Sequence, residues 1–169
     1  MPTDNIVSLA RHGADLDSHA QAIPAGLVAD DCEGQQRPTA APSGVVSQSE
    51  AEAWMAAAPK GAWTGVQFHG STEDGAESLR AEGVLMERCR EGGFYTTNTE
   101  AEAALWGWGS TVPVAVRFDN PLRLKRSDLG VSKALCDRAR RQGHDGIIWP
   151  MDRETVAVAL SPFAAVIIA

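Results

Sequence analysis

With 169 residues, a hydrophobic fraction of 44% and a formal net charge of −7, the chain has the length and apolar content of one globular domain. No apolar run approaches the roughly 20 residues that cross a bilayer, which excludes an ordinary membrane-spanning helix and leads us to expect no membrane partner. Three cysteines at wide spacings favour reduced thiols over a disulfide framework or a zinc site, so we also expect no metal.

Residues 1–60 are predicted to form a leader with little structure. They carry three basic and eight acidic side chains, and turn-forming residues recur between positions 24 and 44. Two short helices are predicted, at 6–22 and at 49–58, with Ser49 as a candidate N-cap of the second. A flexible leader and a partner-binding or secretion segment both fit this pattern. The first residues lack the basic and apolar regions of a Sec signal peptide, so we expect a cytoplasmic protein or one exported by another route.

Residues 61–169 are predicted to form an α+β domain of short strands and about three helices. In chain order the predicted elements are a strand at 64–69, a helix at 74–82, a strand at 94–96, a helix at 98–106, strands at 112–118 and 122–124, a helix at 132–142, and strands at 146–149, 156–160 and 164–168. Asp74 is the predicted N-cap of the first helix, and Gly83 is its predicted end. Residues 117–141 hold eight basic and three acidic side chains, which indicates either a solvated face or a surface that meets phosphate groups.

Two short segments in this domain carry the strongest functional signal. They are Val66-Gln67-Phe68-His69-Gly70-Ser71 and Gly92-Gly93-Phe94-Tyr95-Thr96-Thr97. Each is an apolar or aromatic run that ends in small polar residues. A buried strand has no use for a histidine near its end, and the glycine after His69 allows a ligand to approach the backbone closely.

These segments resemble the NAD-binding core of ADP-ribosyltransferases of the diphtheria-toxin and poly(ADP-ribose) polymerase type, the His-Tyr-Glu branch. In that family a strand-end His-Gly-(Ser/Thr) is followed by a Gly-Phe-Tyr motif and then by a late glutamate. The resemblance implies that His69 binds the adenosine-side ribose, that the backbone of Gly70 holds the nicotinamide amide, and that the hydroxyl of Ser71 reaches a ribose.

The resemblance also assigns an aromatic clamp and a catalytic carboxylate. Tyr95 would stack on the nicotinamide ring, and Trp106, 11 positions later, stands at the spacing of the family's second ring, which is usually a tyrosine. Trp108 is the second choice for that ring. Glu154 opens a late apolar run, where the family keeps its catalytic glutamate, and Asp152 is a further candidate for orienting the acceptor.

The resemblance implies a compact ADP-ribosyltransferase-like fold with short mixed and antiparallel strands in two packed sheets. The implied substrate is NAD+, with no metal, and the implied activity is mono-ADP-ribosylation of a macromolecular acceptor, protein or nucleic acid, by a bacterial toxin or effector. An immunity or antitoxin protein would be a further partner. An NAD+ glycohydrolase, a transferase that acts on a small-molecule acceptor, and a non-catalytic interaction module that retains the fold stay open as alternatives. The leader, residues 1–60, is expected to be dispensable for NAD binding.

Overall fold

The computed structural model describes residues 42, 44–89, 91–107 and 109–169. The predicted helix at 6–22 and the candidate ring Trp108 lie outside the described residues. The described part is α+β, as predicted, with four helices and a single mixed sheet of eight strands. None of these helices combines the length and apolar character that crossing a membrane requires.

The strands and helices follow one another along the chain in this order. They are β1 (Val45–Val46), α1 (Gln48–Ala56), β2 (Trp63–Ser71), α2 (Glu73–Glu82), β3 (Phe94–Thr97), α3 (Glu100–Trp106), β4 (Ser110–Phe118), β5 (Pro121–Arg123), α4 (Lys133–Arg141), β6 (Gly146–Pro150), β7 (Thr155–Ala159) and β8 (Ala165–Ile168). A single 3-10 turn, Met86–Arg88, lies between α2 and β3. The strand order across the sheet is β1-β8-β4-β2-β3-β7-β6-β5.

The prediction of two packed sheets is wrong, because β2 and β3 join the strands into one sheet. Their junction is a single registered pair, Phe68 with Thr97. Beyond it β2 continues to Ser71 and β3 starts at Phe94 without further pairing between them. The two halves of the sheet therefore separate beside this pair, and the junction depends on one contact that hydrophobic periodicity does not reveal.

Helices cover both faces of the sheet. On one face, α2 packs over a core that includes Ala76, Phe94, Val112 and Val114. On the other face, α4 packs over Ile147, Val156 and Val158, while α1 packs over Ala115, Val166 and Ile168. Successive residues of a strand point to opposite faces, so neighbours such as Phe94 and Tyr95 enter different clusters.

Residues 45–56, within the predicted leader, form part of this sheet assembly. β1 pairs in parallel with β8, and α1 begins at the N-cap Ser47, which forms a reciprocal capping box with Glu50. Trp54 of α1 is buried, and the guanidinium of Arg117 lies over its ring while donating to its backbone carbonyl at 3.2 Å. Arg117 is itself buried and bonded through two nitrogens to Asp119, so its charge is compensated beneath α1.

Candidate functional site

A cavity of about 550 Å3 opens where β2 and β3 separate. Its walls come from the end of β2, the inner side of α2, the segment after α2 and the start of β3. The residues that line it are His69, Ser71, Gly75, Ser78, Leu79, Gly83, Leu85, Arg88, Cys89, Glu91, Gly93, Phe94 and Tyr95. Its size falls within the range of about 300–1,000 Å3 that is usual for small-molecule sites.

The His69 side chain bridges the gap between the two strands. Its Nδ1 lies 2.7 Å from the backbone carbonyl oxygen of Tyr95, and its ring stacks on Phe94 with centroids 4.3 Å apart. Because a carbonyl oxygen only accepts, Nδ1–H is the donor. Burial lowers the pKa of His69 and so favours the neutral ring, although the bond to Tyr95 acts in the opposite direction. A neutral ring protonated at Nδ1 has a lone pair at Nε2 that can accept a hydrogen bond from a ligand.

The two residues after His69 lie against α3. A Cβ on Gly70 would come within 1.8 Å of the carbonyl oxygen of Ala103, and one on Gly107 within 1.9 Å of the backbone nitrogen of Ser71. Both positions therefore require glycine for the packing of α3 on β2, whatever ligand binds. Ser71 also lines the cavity.

Tyr95 contributes its backbone and its ring to different parts of the site. Its carbonyl holds His69, whereas its ring packs with the α4 cluster, and its hydroxyl donates to Val131 O at 3.4 Å and lies 3.9 Å from Cys136 Sγ. Burial raises the pKa of the Tyr95 hydroxyl well above its usual range, so the group stays protonated. The ring thus lies on the opposite face of β3 from the neighbouring Phe94 ring on which His69 stacks.

Glu154 lies at the end of the tight turn between β6 and β7. Met151 N–H donates to the carbonyl of Glu154 at 2.8 Å and closes this turn. The Thr97 hydroxyl donates to Glu154 Oε2 at 2.6 Å, and the next backbone N–H, of Thr155, donates to Asn98 Oδ1 at 2.7 Å. Thr97, the last residue of β3, therefore holds the Glu154 side chain, and Asn98, the next residue, holds the adjacent backbone at Thr155.

Trp106 is the last residue of α3, and 43% of it is exposed. It directly precedes Gly107, whose backbone touches Gly70 and Ser71. The indole accordingly lies at the end of the helix that packs on the β2 terminus. Neither Trp106 nor Glu154 is among the residues that line the cavity.

The sheet order brings the candidate residues to three adjacent strands. His69, Gly70 and Ser71 end β2, Tyr95 lies on the neighbouring β3, and Glu154 precedes β7 on the far side of β3. Paired strands lie about 4.8 Å apart, so at the Phe68–Thr97 pair β2 and β7 are separated laterally by roughly 10 Å.

Sequence reasoning missed three contributors to this site. Thr97 was part of the recognised motif but received no role, although pairing β3 with β7 in antiparallel register would have placed it beside Glu154. Asn98 was treated only as a helix start. Arg88 lines the cavity from the 3-10 turn, a segment that carries no periodic signal.

Within the described ranges, no group of three or more histidine, cysteine, aspartate or glutamate side chains is arranged to hold a metal ion. Cys89 and Cys136 are both free thiols. Neither a protein-family model nor a curated protein matches this chain.

Proposed function

We propose that the protein is a mono-ADP-ribosyltransferase that cleaves NAD+ at the nicotinamide–ribose bond and transfers ADP-ribose to a macromolecular acceptor. The observation that carries the proposal is the separation of β2 from β3. The His69 imidazole lies beside a cavity of about 550 Å3 on the β2 side of β3, and the Glu154 carboxylate, which Thr97 holds, lies on the β7 side. Two groups that can bind hydroxyls, on strands flanking a third, suit a ligand with two riboses joined by a diphosphate.

The cavity would hold the adenosine half of NAD+. His69 Nε2 would accept a hydrogen bond from a ribose hydroxyl, because Nδ1–H is committed to the Tyr95 carbonyl. Leu79 and Leu85 offer apolar walls for a purine ring, and Ser71 offers a second hydroxyl for the ribose.

Glu154 would act at the nicotinamide-side ribose. As the carbon–nitrogen bond breaks, its electron pair leaves with neutral nicotinamide, and positive charge develops on the ribose ring. A carboxylate held by Thr97 through Oε2 keeps Oε1 for that ribose, where it stabilises the charge and bonds the 2′-hydroxyl. The acceptor then supplies the electron pair for the new bond to ribose, and the same carboxylate can take its proton.

Gly70, Tyr95 and Trp106 would hold the nicotinamide. The Tyr95 ring lies on the α4 side of β3, and Trp106 ends the helix that packs on Gly70. For these groups to meet the ring, the nicotinamide end of NAD+ would lie on the α4 side of β3, across the His69–Tyr95 hydrogen bond from the cavity. The same proposal covers three further points: a macromolecular acceptor, a role as a toxin or effector with an immunity or antitoxin protein as its partner, and a location in the cytoplasm or outside the cell after export.

Incubation with labelled NAD+, alone and with a cell lysate, tests the activity. We expect nicotinamide release and a labelled macromolecule that appears only with lysate. Free labelled ADP-ribose in both samples without a labelled macromolecule would instead identify an NAD+ glycohydrolase. Binding of NAD+ without any turnover would identify an interaction module, and the absence of both binding and turnover would refute the proposal.

A further inference from the structure

One cationic side chain in the cavity wall has no role in the proposed chemistry. Arg88 belongs to the 3-10 turn Met86–Arg88 and lines the cavity together with His69 and Ser71 from the end of β2. Among the described residues that form the cavity wall, it is the only arginine or lysine. A cation so placed faces the same space as His69, Ser71 and Ser78.

The present partner of Arg88 is easily replaced. Its Nη1 lies 2.9 Å from Glu82 Oε2 at the end of α2, and the two side chains are 62% and 46% exposed. An ion pair in such contact with water contributes little to stability, because solvent screens both charges and the long side chains lose freedom in forming it. Exchanging the glutamate for another anion would therefore cost little.

The surroundings of the cavity give an anionic ligand few other partners. The described residues from 73 to 91 include six acidic side chains. Two other arginines near the cavity already have partners: Arg80 donates to the backbone carbonyl of Thr111, and Arg140 donates to the carbonyls of Gly92 and Leu160 and pairs with Asp137. Glu91 also lines the cavity and would repel an anion. A dinucleotide carries two negative charges on its diphosphate, and a planar guanidinium can bond two phosphate oxygens at once.

We infer that Arg88 is the diphosphate-binding residue of this cavity, and that it exchanges Glu82 for phosphate oxygens when a dinucleotide binds. The inference rests on the proposed function, since it assigns one residue of that site to one group of the ligand. Arg88 then determines the preference for nucleoside diphosphates over nucleosides. In this structure the guanidinium pairs with Glu82 instead.

The test compares two ligands that differ in the diphosphate, ADP-ribose and adenosine, by calorimetric titration of the full chain. In Arg88→Met the dissociation constant for ADP-ribose should rise about 10- to 100-fold, the loss expected for a hydrogen-bonded charge. That for adenosine should change less than about twofold, since a neutral nucleoside offers the guanidinium no charge. Arg88→Lys should recover part of the loss, because it keeps the charge but not the planar fork.

Glu82→Gln and Glu91→Gln are matched controls, since each removes a negative charge near the same arginine. Both should leave ADP-ribose binding unchanged or tighter, and unfolding midpoints should show that all variants are folded. Unchanged ADP-ribose affinity in Arg88→Met would overturn the inference while leaving the proposed function intact. An equal loss for both ligands would also overturn it, because Arg88 would then only shape the cavity. If the unsubstituted protein binds neither ligand, the proposed function itself fails.

Discussion

Substitution of Glu154 by glutamine separates charge stabilisation from binding at the proposed site. The amide has nearly the same shape, and its carbonyl oxygen can accept the bond that Thr97 now donates at 2.6 Å. What disappears is the negative charge. For unit charges about 4 Å apart at an effective dielectric constant of about 20, the interaction is about 4 kcal/mol. Removing one well-placed electrostatic group from an active site typically costs about 2.7–4 kcal/mol, so turnover should fall on the order of 10²- to 10³-fold.

The assay measures nicotinamide release and, separately, the dissociation constant for ADP-ribose. We expect turnover to fall while the dissociation constant stays nearly constant, because His69 and the cavity are unchanged. Asp152→Asn is the matched control, since it removes a carboxylate from the same turn, where the side chain is 72% exposed. Full activity in Glu154→Gln would refute the mechanism, and loss of activity only in the control would move the catalytic carboxylate to Asp152.

Three further outcomes follow from the contacts around the site. Thr97→Val should lower turnover about tenfold without weakening ADP-ribose binding, because Glu154 loses its hydrogen-bond donor. Thr97→Ser, which keeps the hydroxyl, should restore the turnover. Equal turnover in the two variants would contradict this positioning role. ADP-ribose affinity should be constant near neutral pH and fall once the pH drops below the lowered pKa of His69, because protonation removes the Nε2 lone pair. Titrations between about pH 7.5 and 5 measure this fall. The His69→Gln variant should not show it. Trp54→Ala should destabilise the fold by about 3–5 kcal/mol in denaturant unfolding, and an unchanged midpoint would mean that α1 does not dock.

Much of the local structure could be predicted because its signals are short-range. The predicted strands at 64–69, 94–96 and 112–118 correspond to β2, β3 and β4, and the helix predicted at 98–106 corresponds to α3, which starts two residues later. Caps were less accurate. Thr72, rather than Asp74, caps α2, because its side chain accepts from the N–H of Gly75.

The sheet arrangement could not be predicted, because pairing depends on residues distant in sequence. β1 has only two residues, too few to show the alternation that predicts a strand. Its pairing with β8 accompanies the packing of α1 on the sheet, which the sequence does not indicate. In the same way, the sequence predicts that the Tyr95 ring faces a ligand. In the structure the Tyr95 carbonyl bonds His69 because of the strand register, and the Tyr95 hydroxyl meets Cys136 because α4 packs on β3. Functional roles that depend on a side chain's identity can be proposed from motifs, but those that depend on a carbonyl's position require the fold.

The position of β8 between β1 and β4 affects how the protein folds during translation. Val45 pairs with Ile167, and β4, the third strand from the β1 edge of the sheet, also pairs with β8. During translation, β4 therefore has one unpaired edge until residue 168 has left the ribosome, and the apolar Val114, Ala115 and Val116 await their partners throughout that time. Such long-range pairing slows folding and exposes unpaired edges to aggregation. Nascent chains stalled before Ala165 should consequently be bound by chaperones or degraded by proteases rather than accumulate as a folded domain.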